Sequence, residues 1–226
     1  MQSLPRLLQQ YQVCIQASEP DQHSVAYRQS HWQRTINNNN LASIIDLHPL
    51  TISRGNVQSL ATLAYVNRDP DAIVRLFLAS MVWGYGEVGY GPYRTQKMLD
   101  TSDFSTTVED AFTNIISGNV HTAYVNFNLP MCGSAFFTKF FYFAGLGSKQ
   151  AVCPVILDSV IARCLEEKLD LDISQYAQVV RNSHGRITSV GRYADGYSRY
   201  INMMHEWAEQ LHCRPDSIEF VLFTLT

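Results

Sequence analysis

Five residues, Leu129-Pro130-Met131-Cys132-Gly133, break the chain between two stretches that each read as helix. Proline removes a backbone donor and glycine admits backbone shapes that other residues resist, so together they enforce a tight bend. Residues 119–128 precede the bend, and Ser134 is placed to cap a following helix that runs to Ala144 and ends at Gly145 and Gly147. Two helices joined by so short a connection fold back as a helical hairpin over about residues 119–144. Beyond it, Val152 to Leu157 reads as extended, held so by Pro154, and Asp158 is placed as the N-cap of a helix carrying SVIARCLEEKL.

Helix signals dominate elsewhere. Residues 2–15 read as a first helix, and residues 16–56, with the run Asn37 to Asn40, read as a polar excursion with some helix. Asp69 as N-cap and Pro70 at the first helical position start a helix whose apolar residues, Ile73, Phe77 and Met81 with Val74, Leu78 and Val82, recur on one face. It stops at the glycine run 84–92, and a short helix with Arg94 and Lys97 follows. Thr106 with Glu109 reads as a capping box, and Gly118 ends that helix. In the C-terminal part, Tyr193, Tyr197, Tyr200 and Met204 share a helical face that reads as core. Strand signals are scarce. The expected fold is all-α with two helical lobes, a single unit over 1–226: an extension (1–56), a core (57–165) and C-terminal helices (166–226).

Composition narrows the classes. At 46% hydrophobic the 226-residue chain is globular. It lacks an apolar run of membrane-spanning length, and its N-terminus lacks a basic start with an apolar run behind it, so a cytoplasmic, membrane-free protein is expected. Five scattered cysteines, without a CxxC pair, read as buried thiols, and seven histidines without an HxxxH pair give no reason to expect metal catalysis. The net charge of −3 counts against a nucleic-acid partner, unless phosphates are held by backbone N–H groups at helix N-termini. The balance also varies locally: residues 130–164 hold Lys139, Lys149 and Arg163 against Asp158 alone.

A helical hairpin with such a bend presents consecutive N–H groups beside a helix N-terminus, where the macrodipole favours an anion such as a DNA phosphate. An acidic residue some twenty positions on is then a candidate catalyst. LPMCG, then FFTKFFYF, then PVILDSVIARCL resembles the core of the helix–hairpin–helix DNA glycosylase superfamily. The likeness is to the bacterial branch with the 8-oxoguanine-glycosylase fold, some of whose members act against phages with modified DNA. It covers about residues 70–165, weakens toward the C-terminus and is absent from 1–56.

That resemblance implies roles for particular residues. Asp158 falls at the catalytic aspartate, where an ionised carboxylate stabilises the oxocarbenium-like sugar and steers water. An N-cap role alone also explains it, and the two are compatible. The bifunctional members' Schiff-base lysine corresponds to Ala135 here. The nearest lysine, Lys139, lies one turn on and nineteen residues before Asp158, so a monofunctional enzyme is expected. Lys139 is then a phosphate or pocket contact, or a surface lysine packed on Phe136 or Phe140. Gly133, Ser134 and Ala135 would meet phosphate through the hairpin, although Met131 stands where the family has its first glycine. The resemblance also implies a monovalent cation at the hairpin and no other cofactor. Trp83, Tyr85 and Tyr90 would grip the flipped base, Trp83 being explained equally by a core position. Arg94 and Lys97 are phosphate contacts or a solvated face.

The leading expectation is a DNA N-glycosylase that leaves an abasic site, acting on phage DNA with modified cytosine such as the glucosylated hydroxymethyl form. Alternatives are an 8-oxoguanine repair glycosylase, with or without lyase activity, a non-catalytic helix–hairpin–helix DNA-binding module, and a helical interaction protein. A protein partner is not implied.

Overall fold

The computed structural model describes residues 3–148 and 152–225; Lys149, counted in the local charge above, lies outside them. In chain order the helices are α1 (Arg6–Gln10), α2 (Gln12–Gln16), α3 (Gln29–Thr35), α4 (Asn39–Leu47), α5 (Arg54–Asn67), α6 (Pro70–Tyr85), α7 (Gly91–Leu99), α8 (Phe104–Ile116), α9 (Val120–Asn126), α10 (Ser134–Ser148), α11 (Ser159–Glu167), α12 (Ala194–Leu211) and α13 (Pro215–Thr224). Two small antiparallel ribbons accompany them: β1 (Ser24–Ala26) with β2 (Thr51–Ser53), and β3 (Val179–Arg181) with β4 (Ile187–Val190). The all-α expectation holds.

Contacts divide the chain into two compact units. One comprises Asp21–Cys132 and Lys139–Cys153, the other the residues up to Pro20, Gly133–Thr138 and everything from Pro154 onward. The first is built around α6. Asp69 caps it, its Oδ2 accepting from the Ala72 N–H at 3.1 Å, with Pro70 at the first position. Nearly every residue from Ala72 to Tyr85 is buried, the pattern of a helix covered on all sides. Phe77 meets Phe104 and Phe140 edge-to-face at 5.4 and 5.5 Å, each ring burying on the order of 2 kcal/mol of transfer free energy. Gly86, at φ 52°, ends α6 within the glycine run expected to stop it. The second unit packs α11, α12, α13 and α2 with the β3–β4 ribbon, and three of the four expected face residues are core: Tyr197, Tyr200 and Met204 are fully buried, whereas Tyr193 is the half-buried N-cap that precedes α12.

Several local expectations are corrected. The expected first helix is two short ones, α1 and α2, broken at Tyr11, and residues 16–56 hold the expected helix as α3 and α4, with β1 and β2 beside them. Helix α8 starts at Phe104, so Thr106 sits inside it and makes no capping box. Gly145 and Gly147 lie within α10, which runs to Ser148. The reason for Gly147 is packing: a Cβ there would meet the Ala61 carbonyl carbon and oxygen at 2.6 Å. The thiols divide, with Cys132 and Cys164 buried but Cys14 exposed. The β3–β4 ribbon was unforeseen, although β-branched residues flanking Asn182-Ser183-His184-Gly185 carried its signal.

Candidate active site

Asp158 is delivered to its position by an extended segment. Val155, Ile156 and Leu157 are each 1% exposed. Two α12 hydroxyls hold their backbone: Tyr197 donates to the Val155 carbonyl at 2.9 Å and Tyr200 to that of Ile156 at 2.8 Å. The Leu157 N–H also points at Thr138 Oγ1 of α10, 3.5 Å away. Asp158 then turns the chain into α11 as its N-cap, with Oδ1 accepting from the N–H groups of Val160 (2.9 Å) and Ile161 (3.1 Å). The residue is half-buried. Two N–H bonds and the positive end of the helix dipole both favour the ionised carboxylate.

The LPMCG residues lie between α9, which ends at Asn126, and α10, which starts at Ser134. Met131, in the slot where the family has glycine, adopts φ 59°, the left-handed shape a glycine would supply, so the bend survives the substitution. Gly133 is exposed, with open space where a Cβ would lie. Ser134 does not cap α10. It is the helix's first residue, buried, and its hydroxyl donates to the carbonyls of Val190 (2.7 Å) and Gly191 (3.2 Å). Ala135 is half-buried in the first turn. Lys139 is 7% exposed, so the surface-lysine reading fails. Of the hairpin carbonyls, that of Gly133 accepts from the N–H groups of Phe136 and Phe137 and that of Leu129 from the Cys132 N–H.

The glycine-run residues separate into two groups. Trp83 is buried in an aromatic cage around Arg54: the guanidinium lies 5.0 Å from the Trp83 ring and 5.3 Å from Tyr142, with His23 and Phe143 edge-on to Trp83 at 5.4 Å. Burial, then the Arg54 charge, lowers the His23 pKa to about 4. Tyr85, Tyr90 and Arg94 are brought together. Tyr85 is 2% exposed and edge-on to Tyr90 at 6.0 Å, while Arg94 lies 4.3 Å from the half-exposed Tyr90 ring. Burial is the main cause of an upward shift of the Tyr85 hydroxyl. Lys97 is exposed, 5.8 Å from the exposed Tyr93 ring. The sequence reading missed the hydroxyls of Tyr197 and Tyr200 as supports of the Asp158 segment: spacing marks a buried face but not where a phenol ends.

A helix, a tight bend and a second helix lie in an all-helical frame, with a carboxylate at the start of the next helix, an arrangement consistent with an all-α glycosylase fold. The chain belongs to the family described as "Putative 8-oxoguanine DNA glycosylase OGG-like protein", whose model matches residues 18–223. The match reaches well beyond the 70–165 segment and takes in most of the polar N-terminal stretch and the β3–β4 ribbon. No curated protein and no solved structure matches the chain. Among the described residues, no helix is long and apolar enough to cross a membrane.

Proposed function

We propose that the protein hydrolyses the N-glycosidic bond of a modified nucleobase in DNA, with Asp158 as the catalytic carboxylate. The observation that carries this reading is the capping geometry: a half-buried carboxylate fixed through Oδ1 by two N–H groups at the start of α11. In the reaction the bond from C1′ to the base nitrogen breaks and its electron pair leaves with the base. The sugar develops oxocarbenium character, which the anionic Asp158 stabilises. Water adds at C1′ and gives up a proton, which Asp158 accepts, leaving an abasic site. Tyr90 with Arg94, and the hairpin N–H groups of Gly133, Ser134 and Ala135, are the proposed DNA contacts, with Lys97 on the same helix as Arg94. Trp83 and Tyr85 are assigned to the core rather than to the base.

We read the enzyme as monofunctional, because Ala135 occupies the family's nucleophile slot. Lys139 is then a contact near the reacting strand. For the substrate, the resemblance favours bulky modified cytosine of phage DNA, whereas the family's description favours 8-oxoguanine. The test is mass spectrometry of bases released from duplexes carrying each modification. Asp158→Asn should lower release at least about a hundredfold with the fold intact, since asparagine also caps helices. Release at the wild-type rate by this variant would end the assignment and favour a non-catalytic DNA-binding module. Borohydride trapping of a covalent adduct that disappears in Lys139→Ala would end the monofunctional reading.

A further inference from the structure

We propose that the surface formed by α3 and α7 binds an unpaired stretch of DNA, with Tyr90 and Tyr93 stacking on its bases and Arg28, Arg34 and Lys97 on its phosphates. That the strand is DNA rests on the glycosylase reading above; that it is unpaired rests on the surface itself.

Charge is unevenly spread along this chain. Residues 22–45 and 88–99 each hold two Lys or Arg and no Asp or Glu, in a chain with 17 basic residues against 20 acidic ones. The fold brings these two segments together. Helix α3 packs on α7, and the Asn37 N–H, just beyond the end of α3, donates to the Gln96 side chain at 2.9 Å. Arg34 lies three residues before Asn37 and Lys97 one residue after Gln96, so the backbone keeps each within roughly 11 Å of that bond. Arg28, Arg34 and Lys97 are exposed and Arg94 is half-buried. Among the described residues no carboxylate pairs with any of the four: Arg34 donates to the Ser30 carbonyl, and Lys97 sits beside the Tyr93 ring. Two acids flank α7 in sequence, Glu87 and Asp100, and Asp100 accepts from the Gln96 amide at 2.7 Å.

Phosphate contacts alone do not tell one strand from two; the tyrosines do. Tyr90 and Tyr93 are each 51% exposed and lie one turn apart at the start of α7, where side chains stand about 5–6 Å from each other at Cβ. A ring gains from a base only when the base's flat face is uncovered, and in a duplex the neighbouring pairs cover both faces. One ring suits a single extruded base. Two adjacent rings ask for neighbouring bases out of the stack, which a duplex yields at a cost and a single strand offers freely. The platform is also held in place. Arg94 hydrogen-bonds the buried Tyr85 hydroxyl and lies 4.3 Å from the Tyr90 ring, which meets Tyr85 at a near right angle, 6.0 Å away. Gly91 lets α7 close on Tyr85, since a Cβ there would come within 2.6 Å of that side chain. Aromatic rings with cations beside them hold single strands with little regard to sequence.

The test measures fluorescence anisotropy of a labelled, unmodified DNA single strand and of the matching duplex across salt concentrations. The wild type should bind the single strand more tightly than the duplex. Tyr93→Ala should weaken single-strand binding about tenfold and duplex binding far less, while Tyr93→Phe, which keeps the ring, stays at wild type. Arg34→Ala combined with Lys97→Ala should lower the single-strand salt slope by about 1.4, the share of two phosphates. Arg6→Ala, at an exposed arginine in the other unit, should leave that slope unchanged. A wild type that prefers the duplex overturns the proposal. So does a Tyr93→Ala variant that loses both ligands equally or neither, or a wild-type slope in the double variant. Should Tyr93→Ala unfold, as judged by circular dichroism, Tyr93→Leu takes its place with the same outcomes. Base release from single-stranded and duplex substrates carrying the modified base is scored in parallel. Tyr93-dependent strand binding without any release would fell the glycosylase reading and leave this surface standing; Asp158-dependent release from the duplex with Tyr93-independent strand binding would do the reverse.

Discussion

The hydroxyl of Tyr200 donates to the carbonyl oxygen of Ile156 at 2.8 Å, two residues before Asp158. With Tyr197 on the Val155 carbonyl, it ties the extended segment to α12 at the point where the chain is about to present its carboxylate. A capping aspartate is only as well placed as the backbone that leads to it.

Removing that hydroxyl should be felt twice. Tyr200→Phe leaves a buried carbonyl without its donor, which costs about 1–3 kcal/mol of stability in urea unfolding. Base release at saturating substrate should fall by more than the loss of folded protein explains. A variant with wild-type kinetics and unchanged stability would show that the bond does not position Asp158.

The two roles of Asp158 separate by substitution. Asp158→Ala strips the acceptor from the Val160 and Ile161 N–H groups and should cost about 1 kcal/mol, whereas Asp158→Asn should cost less than half of that. Both should be equally inactive. Equal stability of the two would mean that the cap contributes nothing measurable.

Met131 holds a left-handed backbone with its side chain half exposed. Met131→Gly should therefore stabilise the protein by up to about 1 kcal/mol, the relief of the Cβ clash being partly offset by the entropy of a glycine in the unfolded chain. Thermal unfolding measures it. A loss of stability would mean that the methionine side chain contributes more than its exposure implies.

His23 sets an acid limit. Its pKa is lowered to about 4 in the folded state against an ordinary value of 6.5, so the unfolded chain takes up the proton first. Its contribution is complete above pH 6.5 and is lost as pH falls from there toward 4. His48, lowered by burial, acts in the same direction. The urea midpoint should fall between pH 6.5 and 5, and His23→Gln should flatten part of that slope. An unchanged slope would place the titration elsewhere.

The parts of this structure that the sequence made legible share a cause: they are encoded locally. The Asp69–Pro70 start, the LPMCG bend and the Asp158 cap all depend on residues within one turn of each other, so residue identity alone specifies them. What stayed hidden depends on distant partners. Ser134 has the chemistry of a cap, but its hydroxyl is claimed by carbonyls 56 and 57 residues away. Lys139 reads as a phosphate or pocket contact or as a surface side chain, and only the burial of α10 removes the second. Gly147 looks like a helix terminator because nothing nearby in sequence announces the neighbour against which it packs.

That neighbour imposes a joint rule on two positions. The backbone at 147 lies so close to Ala61 that even a methyl group at 147 meets the carbonyl of 61 at 2.6 Å and its side chain at 2.8 Å. Side-chain volume at this crossing of α5 and α10 is therefore rationed between residues 61 and 147 together. In a library randomised at both, survivors should come from the smallest combinations, with bulk at either one tolerated only where the two helix backbones move apart.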